Sequence, residues 1–192
     1  MSTPPSPPTG YAEAQSQELN YPGIEIGMLA VFTAIGWILQ RQQPVEALDT
    51  VHFIAFAAVA ALLMELLHEG CHVLAFATMG IESRVIWQAL SVVPMDRFVT
   101  KSELTRATLA PLVLLTGPFG VVYLFGGARE VVILAGFALS VNCTLAVLDI
   151  AVILRQIRAP SGTLYTFEIE SGELDSLWMF EPTNSECARV AA

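Results

Sequence analysis

The sequence predicts an all-α integral membrane protein with four transmembrane helices. Of its 192 residues, 54% are hydrophobic and only 14% are charged, whereas a typical soluble domain has about 45–50% apolar and about 25% charged residues. The mean hydropathy is +0.60. The apolar residues are also grouped into long runs, and a membrane-spanning helix needs about 17–25 of them in succession. Length and composition together therefore favour one membrane domain with polar tails.

The first transmembrane helix is predicted over residues 23–39, which are apolar apart from Glu25 and are followed by Arg41. Before it, residues 1–17 hold four prolines among Ser, Thr and Gln. Such a segment buries too little apolar surface to fold, so we expect a disordered tail over residues 1–20.

A second apolar run covers residues 51–79, and Gly80 is expected to end its helix. At 1.5 Å per residue this helix would be about 43 Å long, more than the ~30 Å hydrocarbon core of a bilayer. One end must therefore project or tilt. The next apolar stretches, residues 85–87 and 90–93, are too short to span and favour a strand-like segment.

The third helix is expected to begin at Thr100-Lys-Ser-Glu103, which has the spacing of a capping box, and to end at Phe125. Pro111 and Pro118 lie inside it and should kink it or interrupt its hydrogen bonds. The fourth helix is predicted over residues 131–154. The membrane domain thus covers residues 21–158.

The remaining segment, residues 159–192, is predicted to be a cytoplasmic tail that carries a small β-hairpin. Apolar and polar residues alternate over residues 163–170, and a second apolar stretch follows at 177–180. Four spans place both termini on one side of the membrane. That side holds seven of the nine lysines and arginines, so the positive-inside rule predicts a multi-pass cell-membrane protein with both termini in the cytoplasm.

The formal net charge of −9 comes with no basic cluster. Proteins that bind nucleic acid present such a cluster to the phosphate backbone. Nucleic acid is therefore excluded as a partner, and the lipid bilayer is the expected one.

One array of ionisable residues stands inside the second apolar run: His68-Glu69-Gly70-Cys71-His72, an H-E-x-x-H pattern. Residues four apart lie on one face of a helix, so both imidazoles can reach one metal ion while Glu69 faces a water molecule bound to it. A charged side chain at the centre of a membrane helix costs about 2.5–3.5 kcal/mol, so such residues mark functional sites. The competing interpretation is a polar helix contact without metal.

A catalytic zinc site normally has three protein ligands, so a third must be found outside the H-E-x-x-H pattern. His52 lies sixteen residues before His68, about 24 Å along the same helix, and cannot reach. Asp149 lies at a similar depth in the fourth span and is the candidate, unless it instead pairs with Arg155 or Arg158. Asn142, on nearly the same helix face, could bind a substrate carbonyl or a developing oxyanion, or it could form a hydrogen bond between helices.

The order of these features resembles the site-2 protease class of intramembrane metalloproteases. It resembles more closely the small bacterial and archaeal membrane proteins called putative zincin peptidases, over residues 51–158. The resemblance implies that His68, His72 and Asp149 hold Zn²⁺ and that Glu69 is the general base, with Asn142 a looser match as a catalytic residue.

The function implied is that of a zinc metallopeptidase embedded in the membrane, which hydrolyses peptide bonds of membrane or membrane-proximal proteins. Zinc lowers the pKa of its bound water to about 7, and Glu69 takes the proton. The expected partner is a protein or peptide substrate. The alternative is a non-catalytic pseudoprotease or metal-binding scaffold, and Glu69 separates the two because a scaffold needs no general base.

Overall fold

Three long helices make up most of the described structure. A computed structural model describes residues 6–12, 15–18, 26, 27, 30, 50–86, 91–95, 97–170 and 173–183. The helices are α1 (Thr50–Thr78), α2 (Lys101–Phe125) and α3 (Arg129–Arg158). Four membrane helices were predicted, and the described residues contain three. The first predicted span, residues 23–39, falls outside the described residues except at positions 26, 27 and 30, which are helical.

Each long helix contains a segment long and apolar enough to cross a membrane: Ala58–Thr78, Lys101–Phe125 and Val131–Arg158. Many large apolar side chains on these segments face outward, among them Leu62, Leu63, Leu66, Val113, Val121, Leu124, Leu154 and Ile157. Water would oppose such exposure, whereas lipid would not. The composition and these surfaces together indicate a membrane protein.

Gly80 ends α1, as the sequence predicts. Its φ of 69° is left-handed, a conformation that glycine adopts without a Cβ penalty. The backbone N–H of Ile81 then donates to the carbonyl of Phe76 at 3.0 Å, which closes the last turn as in a Schellman motif.

The predicted capping box at the start of α2 is confirmed. The backbone N–H of Thr100 donates to Oε2 of Glu103 at 2.8 Å, and the backbone N–H of Glu103 approaches Oγ1 of Thr100 at 3.3 Å. Two N–H groups that the helix cannot satisfy are thereby paired. The helix then continues through both Pro111 and Pro118 to Phe125.

Within the described residues, six strands form two antiparallel sheets: β1 (Gln15–Glu18), β2 (Ser83–Ile86), β3 (Ser91–Pro94), β4 (Val99–Thr100), β5 (Leu164–Glu170) and β6 (Glu173–Phe180). The predicted strand-like segment is the β2–β3 pair, and the predicted tail hairpin is β5–β6. That hairpin belongs to a larger sheet of order β1-β6-β5-β4. Gln15–Glu18 were predicted to belong to a disordered tail. This was wrong, because these residues pair with β6.

The chain divides into two compact units, and all three helices contribute residues to both. The first unit combines Met1–Tyr21, His72–Thr108 and Ile150–Ala192. Its core packs the end of α1 and the start of α2 against the sheet. The buried members include Phe76, Val99, Leu104, Tyr165 and Leu177.

The second unit comprises Pro22–Cys71 and Leu109–Asp149. Its core is smaller, with Met64, Ala138 and Val141 buried and Leu115 and Phe119 packed against them. Small residues on α3 allow close helix packing, which is how helices associate where lipid surrounds them.

Candidate metal centre

His68 and His72 lie one turn apart on α1 and are both buried, with 2% and 9% of their surfaces exposed. The i, i+4 spacing places them on one helix face, as the sequence predicts. Glu69, the next residue after His68, is half-buried. A buried imidazole needs a partner for each ring nitrogen, and those partners define the site.

The partner of His72 is a backbone carbonyl. Its Nδ1 lies 2.8 Å from the carbonyl oxygen of Ala107 on α2. A carbonyl oxygen can only accept, so Nδ1 of His72 carries the proton. In the neutral ring, Nε2 is then the nitrogen with a lone pair for a metal ion.

The Nδ1 atom of His68 is paired with an amide. It lies 3.1 Å from Oδ1 of Asn142 on α3. The orientation of that amide is fixed at its other end, because Nδ2 of Asn142 approaches the Pro111 carbonyl at 3.4 Å and Oγ1 of Thr116 at 3.1 Å. Oδ1 is therefore the acceptor, and His68 also carries its proton on Nδ1.

This arrangement turns Nε2 of His68 toward Asp149. The distance from Nε2 to Oδ2 of Asp149 is 3.1 Å. Because the proton of His68 is on Nδ1 and is donated to Asn142, the lone pair of Nε2 faces the carboxylate oxygen of Asp149. Two acceptors at this distance repel each other unless a proton or a metal cation lies between them. The contact therefore supports a cation site.

His68, His72 and Asp149 together offer three ligand atoms that all lie within 4.8 Å of one another. Zinc binds nitrogen and oxygen at about 2.0–2.2 Å in tetrahedral geometry, which separates neighbouring ligand atoms by roughly 3.4 Å. Two imidazoles and one carboxylate also form a ligand set of known catalytic zinc sites. The residues present fit zinc.

Neither Cys71 nor Cys143 belongs to this group, although thiolates bind zinc well. Cys71 is buried and Cys143 is partly buried, and neither forms a disulfide. In the part of the chain that the structure describes, the metal-binding chemistry is thus carried by imidazole and carboxylate.

The structure shows what the amide of Asn142 contacts. Two roles were left open for this residue: binding a substrate carbonyl or an oxyanion, and hydrogen bonding between helices. Asn142 is fully buried, and its amide contacts His68 on α1 and Thr116 on α2. The hydrogen bond between helices is therefore confirmed, and the catalytic role stays a prediction. The spacing along α3 correctly placed Asn142 near the site, whereas its partner depends on how α3 is rotated about its axis.

Two contributors were missed by the sequence analysis: the carbonyl of Ala107 and the hydroxyl of Thr116. A search for side-chain motifs cannot find a backbone oxygen. Thr116 is one of several hydroxyl residues in apolar segments, and its spacing does not distinguish it from the others. The Ala107 carbonyl contacts the imidazole of His72 directly, whereas Thr116 contacts Asn142, which in turn contacts His68.

An H-E-x-x-H helix with a carboxylate from a second helix defines the metal-centre class of the zincin-type metallopeptidases. Comparison with protein-family models gives the same class. The family model described as putative zincin peptidase matches residues 61–164, more than half of the chain. The chain belongs to this family. No curated protein and no solved structure matched it.

Proposed function

We propose that this chain is a membrane-embedded zinc metalloprotease. The observation that carries the proposal is the convergence of His68, His72 and Asp149 within 4.8 Å, with Glu69 adjacent on the same helix. Family membership supports a metallopeptidase. A structural metal site would be closed by four protein ligands, and the group found among the described residues has three.

The site residues have two roles, which are to hold zinc and to move a proton. His68, His72 and Asp149 would hold the ion, which when bound supplies Lewis-acid polarisation of water and of a peptide carbonyl. Glu69 accepts the proton of the attacking water and returns it to the leaving amine. Asn142 and the Ala107 carbonyl keep both imidazoles in the tautomer whose Nε2 atom carries the lone pair for the ion.

The proposed setting is the cell membrane, with several spans and both termini in the cytoplasm. The three membrane-capable helices support it, and residues 23–39 would add the fourth. At this depth the peptide bonds within reach are those of membrane proteins or of segments next to the bilayer. A helical substrate must unwind first, because its carbonyls are engaged in the helix.

A paired substitution of two glutamates tests the general base. Glu69→Gln should retain zinc but lower cleavage of labelled β-casein, an unfolded amphipathic polypeptide, by about 10²–10⁴-fold, the usual contribution of a general base. Glu65→Gln is the matched control, because Glu65 is also half-buried and lies one turn earlier on α1. It should cleave at the wild-type rate.

Two results would contradict the proposal. Cleavage by Glu69→Gln at the wild-type rate would exclude Glu69 as the base. Zinc-loaded wild-type protein that cleaves neither β-casein nor a membrane-inserted helix peptide would favour the alternative, a metal-binding scaffold without catalysis.

A further inference from the structure

Pro111 lies in the interior of α2 and is buried, in a helix that continues past it for fourteen residues to Phe125. Proline has no backbone N–H, so the helix bond from residue 111 to the carbonyl of Ala107 cannot form. A buried carbonyl without a partner costs free energy. The sequence thus creates an open acceptor at one defined position inside an apolar segment.

That same carbonyl is the one that accepts the proton of His72, at 2.8 Å. The Ala107 oxygen lacks its helix donor, and the imidazole of His72 needs an acceptor for its Nδ1 proton. One hydrogen bond between them satisfies both groups. Outer hydrogen bonds of this kind fix the tautomer and the ring orientation of a metal-binding histidine.

The next turn of α2 serves the other histidine. The carbonyl of Pro111 itself lies 3.4 Å from Nδ2 of Asn142, whose Oδ1 accepts from His68. The acceptors that orient the two imidazoles, one directly and one through Asn142, are therefore four residues apart on one helix. Residue 111 takes part in both contacts, through its missing N–H at Ala107 and through its own carbonyl at Asn142.

We propose that Pro111 is a positioning residue of the metal centre. By leaving the Ala107 carbonyl open, it holds His72 with its proton on Nδ1 and its lone pair on Nε2. The inference rests on the metal site of the proposed function and gives Pro111 a role beyond bending α2. Restoring the N–H at position 111 would make the backbone compete with His72 for the carbonyl.

Pro118 provides a matched comparison within the same helix. It too is interior to α2, and it opens the carbonyl of Leu114. The side chains of Pro118 and Leu114 are exposed. They lie on the outward-facing apolar surface of α2. Pro118→Ala therefore repeats the backbone change of Pro111→Ala away from the histidines.

The test measures zinc affinity by competition with a chromophoric chelator for the full-length protein in detergent. Pro111→Ala should weaken zinc binding about tenfold, at the lower end of the 10–100-fold range for lost outer hydrogen bonds, because the Ala107 oxygen keeps a second lone pair. Pro118→Ala should bind zinc within twofold of wild type. The thermal midpoint of Pro111→Ala should not fall, since alanine favours the helix.

A second readout needs no metal. Histidine ¹⁵N spectra of the metal-free protein, assigned with single His→Gln variants, should show His72 as the Nδ1–H tautomer in wild type and in Pro118→Ala. In Pro111→Ala the same ring should become a mixture of tautomers. Pro111→Gly also restores the N–H and should behave as Pro111→Ala does. If one of the two variants fails to fold, the other still tests the role of Pro111.

The inference is overturned if Pro111→Ala and Pro111→Gly keep wild-type zinc affinity and a pure Nδ1–H tautomer. It is equally overturned if Pro118→Ala loses as much affinity as Pro111→Ala, because the effect would then be a general one of helix geometry. If wild-type protein binds no zinc, the proposed function fails, and the tautomer of His72 in the metal-free variants still decides the role of Pro111.

Discussion

Each of the two site histidines has its Nδ1 atom in a hydrogen bond, so Nε2 is the ring nitrogen that carries the lone pair for a metal ion. The acceptors differ in kind, since His72 uses a backbone oxygen and His68 uses the amide of Asn142. An amide can be replaced by mutation and a backbone oxygen cannot. Asn142 is therefore the residue through which the orientation of His68 can be tested directly.

Asn142→Ala is predicted to weaken zinc binding by about 10–100-fold while leaving all three ligands in place. Without Oδ1, the Nδ1 proton of His68 has no acceptor and the ring is free to rotate or change tautomer. Zinc competition in detergent measures the change.

Ser140→Ala is the control for that experiment, because Ser140 is buried two residues earlier on α3. Its hydroxyl has no hydrogen-bond partner in the described part of the chain, so its loss should leave zinc affinity unaltered. Equal losses in the two variants would show that the effect comes from packing of α3 and not from the orientation of His68.

Tyr165 in β5 is a second buried polar residue with a measurable signature. Its side chain is fully buried, and its hydroxyl has no hydrogen-bond partner among the described residues. Burial, and to a smaller extent the negative charge of Glu181, raise the pKa of Tyr165 to about 12. An unfolded tyrosine has a pKa of about 10.

The stabilising effect of neutral Tyr165 is therefore fully present below about pH 10 and is lost as the pH rises toward 12, because only the unfolded chain releases the proton in that window. Tyr165→Phe should remove this alkaline loss. At pH 8 it should also stabilise the fold by about 1 kcal/mol, since a buried hydroxyl without a partner is removed.

Thermal unfolding in detergent between pH 8 and 11.5 measures both effects. Tyr11→Phe, a change at a partly exposed tyrosine, should keep the alkaline loss. If Tyr165→Phe loses stability above pH 10 as steeply as wild type, another group causes the loss.

At the scale of elements, the start of α2 is fixed by more than its capping box. Arg97 contacts the Glu103 carboxylate at 2.6 Å, and Lys101 donates to the carbonyl of Ala159 at 2.9 Å, just after α3 ends. The first turn of α2 is thus tied to its own cap and to the end of α3. Since α2 carries the Ala107 carbonyl two turns later, its start position affects the metal centre.

Thr100→Ala is predicted to destabilise the protein by about 0.5–2 kcal/mol, the usual cost of a lost N-cap. Thr100→Ser keeps the capping oxygen and should recover most of that loss. Chemical unfolding followed by tryptophan fluorescence distinguishes the variants. A serine variant as unstable as the alanine variant would mean that the methyl group of Thr100, and not its hydroxyl, supplies the stability.

At the scale of the whole molecule, the parts that could be predicted are those with local causes. The length of the apolar runs, the capping box and Gly80 predicted where the helices lie. The H-E-x-x-H spacing, together with the similar membrane depth of Asp149, identified the three ligand candidates. The larger sheet could not be predicted in full. Its strand β1 pairs Gln15 with Met179, which lies near the other end of the sequence, and β1 is polar without an alternation of apolar and polar residues. The contact between Asn142 and His68 could not be predicted, because the rotation of a helix about its axis is not encoded in residue spacing.

The proposed orientation predicts opposite accessibility at the two ends of α3. In a cysteine-free background, Gly127→Cys before α3 should react with a membrane-impermeant maleimide on intact cells. Ser161→Cys after α3 should react only once the membrane is permeabilised. Both positions are exposed in the structure. The reverse pattern would place the C-terminus outside, and labelling of both in intact cells would mean that α3 does not cross.

The central proposal, a three-ligand zinc site, is tested most directly by the metal content of the purified protein. Elemental analysis should find about one zinc per chain in wild type and in the Cys71→Ala control, and clearly less in His72→Ala and Asp149→Ala. Wild-type protein without zinc after reconstitution, or Asp149→Ala with a full complement, would contradict the proposed site.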